Sequence, residues 1–152
     1  MQDSAEIVVR VLVSFASLDD SVLSGWHALN WRTLEDFAAR ALMQMGSPAL
    51  HTMMLHLDAP NDKGLVISIC DVLGRCGRFA EPAVGKLQDV LVSSDADMRM
   101  SAAESLGNLG MHARLAVPAL ESQLGQECDG ECARTIRQSL RFIASDTPDR
   151  LL

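Results

Sequence analysis

The sequence contains no tyrosine, and aromatic residues make up only 4% of its 152 positions. β-Sandwiches and barrels draw on β-branched and aromatic side chains, so this shortage points away from them and towards helices rich in Leu, Ala, Val and Met. Lysine is nearly missing as well. Lys63 and Lys86 are the only two among 13 cationic residues, set against 20 Asp and Glu, for a net charge of −7. A field of that sign repels phosphate backbones and anionic lipid surfaces. It disfavours nucleic acid, gives no reason to expect a membrane, and suits a protein or peptide partner with basic character. Cysteine is sparse too: Cys70, Cys76, Cys128 and Cys132 do not make the dense framework of a small secreted domain. Reduced thiols are expected.

Targeting and membrane signals are also missing. The apolar run from Ile7 to Leu18 is preceded by Asp3 and Glu6 and interrupted by Arg10. A leader peptide would carry positive charge there, and a membrane span needs about 20 residues. A soluble, cytoplasmic chain is the expectation. Catalytic signatures fail in the same way. The sequence holds no glycine-rich phosphate loop and no Gly-x-Ser-x-Gly elbow. His51 and His56 lie five apart, so they do not share a helix face as a metal-binding pair would. Cys70 and Cys76 belong to a different segment from Cys128 and Cys132, too distant for one zinc ion. Cys128 and Cys132 lie at a helix start, a place where thiol pKa falls and which favours a disulfide or a reactive thiol, but idle thiols are the simpler expectation. No catalytic residue, metal or cofactor is assigned.

What the sequence does have is self-similarity. LGRCG at Leu73 to Gly77 reappears as LGNLG at Leu106 to Gly110, an offset of 33 that also places Asp62 on Asp95, Leu87 on Leu120 and Leu91 on Leu124. A third copy, ALMQMG, puts Leu42 and Gly46 on Leu73 and Gly77, and its continuation puts Leu50, Met53 and Leu57 on Val84, Leu87 and Leu91. A partial fourth copy, CARTIRQSLRFIA, sets Leu140 on Leu106. Fixed periods of this length are the mark of stacked supersecondary units, each unable to bury its apolar stripe alone.

Each full unit reads as two antiparallel helices. In the best-formed copy Asp95 and Asp97 suit a helix start, and Met98, Ala102, Leu106 and Leu109 follow helical spacing. Gly110 can adopt positive φ to end the helix. The second helix opens around Pro118 and carries Val117, Leu120 and Leu124. Pro48 and Pro82 predict the same first-turn position in the other copies. Ala102, Ala103 and Gly107, with Ile69, Cys70 and Gly74 one copy earlier, predict close approach between neighbouring helices. LVISICDVL has β-branched content, yet its alignment with MRMSAAESL makes it helical.

DMRMSAAESLGNLG followed by AVPALESQL, Asp97 to Leu124, resembles the HEAT-like repeats named after phycocyanobilin lyase. Arg99 falls on the Arg position of that pattern, whereas Val66 and Glu35 replace it in the other copies. The resemblance spans about Thr33 to Leu124. It implies an all-α fold, a short right-handed α-solenoid of about three helical pairs with capping helices at both ends. The corresponding division is 1–31 (N-terminal cap), 32–60, 61–94 and 95–127 (repeats) and 128–145 (C-terminal cap helix). The family is functionally broad. Its metal hydroxylase members use His-Glu pairs, which are absent here, because the four histidines precede Ala28, Thr52, Leu57 and Ala113.

The resemblance implies a non-catalytic scaffold, adaptor or regulatory subunit that binds a partner through the solenoid surface. A bilin lyase-like, chromophore-handling enzyme is the alternative, and a nucleic-acid binder comes third. In the second helices, the positions that escape the apolar stripe form two rows, Met54, Gln88, Glu121 and Leu55, Asp89, Ser122, with Thr52, Lys86 and Ala119 beside them. The surface is apolar at the first repeat and acidic at the second and third, which suits a peptide with an apolar anchor and basic residues. Arg134, Arg137 and Arg141 give the last helix a basic face, expected to be solvated. Trp26 and Trp31, flanking His27, are expected to seal the N-terminal end of the core. An open repeat edge also allows pairing with a second copy.

Overall fold

The computed structural model describes residues 31–58 and 62–145, and these are all-helical, with no strand among them. The helices are α1 (Trp31–Met45), α2 (Ser47–Asp58), α3 (Lys63–Gly74), α4 (Val84–Leu91), α5 (Ala96–Leu109), α6 (Val117–Gln126) and α7 (Gly130–Ser145). Two 3-10 segments, η1 (Gly77–Ala83) and η2 (Gly110–Ala116), lead into α4 and α6. The expected N-terminal cap, with Trp26 and His27, lies outside the described residues.

Helix starts repeat as the sequence period predicts. Asp62 accepts a hydrogen bond from the Leu65 amide at 3.2 Å, and Asp95 accepts from Asp97 and Met98 at 3.0 and 3.1 Å. Asp129 does the same for the partial fourth copy, accepting from Glu131 and Cys132 at 3.0 and 2.8 Å. These carboxylates satisfy amides that have no partner inside the helix. Helix ends repeat too: among the described residues, positive φ occurs only at Gly46 (73°), Gly77 (52°) and Gly110 (55°), the three aligned glycines. A side chain is strained in that region, which explains why glycine recurs there.

The core follows the same register. Leu42, Leu73 and Leu106 are buried at the aligned first-helix position, and Met53, Leu87 and Leu120 at the aligned second-helix position. The first helices touch in succession, α1 with α3, α3 with α5, and α5 with α7, while α2 contacts α4 and α4 contacts α6. Close approach occurs where glycine was expected to allow it. A Cβ on Gly74 would come within 3.0 Å of the Ser105 backbone, and one on Gly107 within 2.8 Å of the Ser139 backbone. The Ser105 hydroxyl uses this proximity to donate to the Cys70 carbonyl at 2.6 Å.

Two expectations need correction, at Pro82 and at Thr52. Pro82 does not open a second α-helix; it lies inside η1, and α4 begins at Val84. A 3-10 segment feeding directly into an α-helix supplies its own turn geometry, so no first-turn proline is required. Between α1 and α2 the connection shrinks to Gly46 alone. Thr52 does not escape the core either. It is buried, and its hydroxyl donates to the Pro48 carbonyl at 2.9 Å, which satisfies the polar group within its own helix.

Candidate binding surface

The rows expected to meet a partner lie on α2, α4 and α6, the helices whose contacts run in succession. Their members have different freedom. Leu55 is 49% exposed, an unusual position for a leucine on a helix rich in buried neighbours. Asp89, Glu121 and Ser122 are exposed. Met54 is half-buried and packs against the core. Lys86 is half-buried and ion-paired with Asp58 across the α2–α4 contact, which holds its ammonium charge above the usual lysine range. The Gln88 amide donates to the Leu115 carbonyl of η2 at 3.2 Å. Met54, Lys86 and Gln88 therefore spend much of their bonding capacity on the fold, leaving Leu55, Asp89, Glu121 and Ser122 as the accessible part.

Arg99 and Glu127 form a largely enclosed ion pair. The Arg99 Nε and a terminal nitrogen each donate to a different Glu127 carboxylate oxygen at 2.8 Å, a bidentate pair, and the other terminal nitrogen donates to the Ser93 and Ser94 carbonyls at 2.9 Å each. Glu127 also accepts from Gln123 and from the Asp129 amide. Its side chain is only 2% exposed, and the guanidinium holds its carboxyl well below the usual carboxylate range. One arginine thus ties the loop before α5 to the linker before α7. Sequence reading marked Arg99 through its place in the repeat, but gave no reason to select Glu127, whose partner is fixed only by the folded linker.

Beside this pair lies an open hollow of about 510 Å³ bordered by Val92, Ala119, Ser122, Gln126 and Cys128. Ser122 belongs to the predicted rows, whereas Val92 and Cys128 do not. No family model and no curated protein matches this chain.

The thiols divide sharply. Cys128 is exposed, while Cys70, Cys76 and Cys132 are buried, and all four are free. Burial pushes the thiols of Cys70 and Cys76 up to about 12, and burial together with the Glu127 carboxylate pushes Cys132 up to about 11. The activating effect expected from a helix start is therefore overturned at Cys132, because desolvation and a neighbouring negative charge both disfavour the thiolate. Cys128 lies two residues before α7 begins at Gly130.

Among the described residues, no group of three or more His, Cys, Asp or Glu is placed to hold a metal ion. Half-buried His112 stands 3.6 Å from exposed Glu81, a pair that joins η2 to η1. The basic residues Arg134, Arg137 and Arg141 are exposed along α7, and Arg141 borders a second hollow, near Arg114 and Glu121. Among the described residues, no helix is long and apolar enough to cross a membrane.

Proposed function

We propose that the chain is a non-catalytic binding module of the HEAT-like solenoid type, acting in the cytoplasm as an adaptor or regulatory subunit that holds a partner protein on its second helices. The observation that carries this reading is the alignment of exposed Leu55, Asp89, Glu121 and Ser122 on α2, α4 and α6, which contact one another in succession. An apolar position at one end and carboxylates farther along favour a segment with an apolar anchor followed by basic residues. The repeats serve as a frame: their aligned leucines and close-packed glycines are committed to helix contact, so recognition falls to positions between them.

The test is affinity capture from the native cell followed by mass spectrometry, with the captured protein then assayed against Leu55→Asp combined with Asp89→Lys. Both positions are exposed, so folding should be retained, as circular dichroism would verify. The reading expects capture to fall by about tenfold or more, the scale of losing an anchor and reversing a rim charge. Undiminished capture by the folded double variant removes the second-helix surface as the binding site.

A further inference from the structure

The second hollow, about 430 Å³, lies where the repeat pattern stops. It is lined by Arg114 on η2, Val117 and Glu121 on α6, and Leu140, Arg141 and Ile143 on α7, with Ala144 at its edge. One repeat earlier, the residues 33 positions before Arg114, Val117 and Glu121 are Glu81, Val84 and Gln88. At that internal junction the surface is covered by η2. His112 faces Glu81, Gln88 donates to the Leu115 carbonyl, and Val84 is buried. At the end of the array the corresponding Val117 is only half-buried. Leu140 is likewise half-buried, although Leu106, its aligned counterpart, is fully enclosed.

The charges at the two junctions are opposite. Where the internal junction presents Glu81 to a histidine, the end junction presents Arg114, with Arg141 across the hollow. Among the described residues, neither guanidinium has a carboxylate within ion-pair distance, and Arg134 and Arg137 continue the basic stripe along α7. We infer that this terminal hollow is an open copy of the internal junction and receives a short acidic, apolar segment of a partner protein, seated as η2 is seated one repeat earlier. Apolar side chains of that segment cover half-buried Val117 and Leu140, and a carboxylate takes the place opposite Arg114 that His112 takes opposite Glu81. Two guanidiniums against the single Glu121 carboxylate leave the rim net positive beside half-buried Val117 and Leu140, which favours such a ligand over a purely apolar or a basic one. This surface shares Glu121 with the second-helix rows but not Leu55 or Asp89, the positions that test that reading, so each can fail while the other stands.

The test is selection of a displayed library of random 12-residue peptides on the full chain, with counter-selection on two variants. Arg114→Glu with Arg141→Glu reverses the rim, and Ala144→Trp fills the hollow from an exposed position. Circular dichroism melting confirms that each is folded. Clones that bind the natural chain and are lost on both variants should combine Asp or Glu with Leu, Ile, Val or Phe, and synthetic copies should lose about tenfold or more in affinity on either variant. The inference is overturned if no clone distinguishes the natural chain from the variants, or if the distinguishing clones lack either acidic or apolar residues. It is also overturned if a DNA duplex displaces those peptides and itself depends on Arg114 and Arg141, which would make the stripe a phosphate-binding face. A dimer that both variants abolish would give the hollow to a second copy. A tenfold gain in peptide affinity from Leu151→Asp with Leu152→Asp would give it to the chain's own continuation. Either result overturns a partner segment as the occupant.

Discussion

Gly107 on α5 lies against Ser139 on α7 so closely that a Cβ at position 107 would meet the Ser139 Cα at 2.8 Å and its hydroxyl at 2.7 Å. A backbone atom cannot be turned aside as a side-chain end can. Alanine there must push the two helices apart, at a cost of about 1–3 kcal/mol from overpacking, against about 1 kcal/mol gained in helix propensity. Gly107→Ala should therefore lower the melting temperature. Gly85→Ala is the matched control: Gly85 is exposed within α4 and a Cβ there meets nothing within 4 Å. It should stabilise by about 0.5–1 kcal/mol, so opposite shifts in the two melting curves are expected.

The Arg99–Glu127 pair makes stability depend on acid. Folding lowers the carboxyl's affinity for protons, so its contribution is full above the unfolded value near 4.5 and is lost as pH falls towards the depressed folded value. Acid titration of the natural chain should show stability declining below that point. Glu127→Ala should cost about 3 kcal/mol at neutral pH, since Arg99 then keeps only the Ser93 and Ser94 carbonyls in a half-enclosed site. The variant should also lose the part of the acid dependence that Glu127 supplies, and denaturant melts at pH 7 and pH 3.5 read both effects. An unchanged acid slope in the variant would show that the pair does not carry it.

Thiol chemistry gives an independent reading of the core. Maleimide at pH 7.5 should label Cys128 rapidly in the native chain, with Cys70, Cys76 and Cys132 reacting only after denaturation, as intact-mass measurement would show. The raised values of the three buried thiols also predict base sensitivity. Their neutral forms are favoured by folding below the unfolded value near 9, and that contribution drains as pH rises towards about 11 to 12. Fast native labelling of Cys132 would contradict its burial against α5.

The repeat was legible because burial and backbone conformation constrain residue type. Leu42, Leu73 and Leu106 must be large and apolar, and Gly46, Gly77 and Gly110 must tolerate positive φ, so the alignment of letters anticipates the alignment of shapes. The helical state of LVISICDVL was legible for the same reason, since register outweighed local β-propensity. Thr52 was misplaced because a hydroxyl can be buried when it bonds back to its own helix, and polarity alone does not reveal that. Gln88 was assigned to a free row because its acceptor, the Leu115 carbonyl, is a backbone atom and leaves no trace in residue type. The terminal hollow was invisible for a further reason: it depends on how far Val117 and Leu140 are buried, and both are apolar like their buried counterparts Val84 and Leu106.

Leu106 offers the most direct check on the register itself. It is fully enclosed in α5, between the close contacts that α5 makes with α3 and α7, and its neighbours Ala102, Ala103 and Leu109 are buried as well. Helices already held at glycine and serine contacts have little room to collapse into a void, so Leu106→Ala should retain much of its cavity and cost about 2–5 kcal/mol. Leu140, aligned with it but half-buried beside the open hollow, should cost clearly less when replaced by alanine, because solvent can enter the space. Comparing the two variants by chemical denaturation separates position in the repeat from residue type. Equal losses would mean that Leu140 is as enclosed as Leu106 and that the end of the array is already covered.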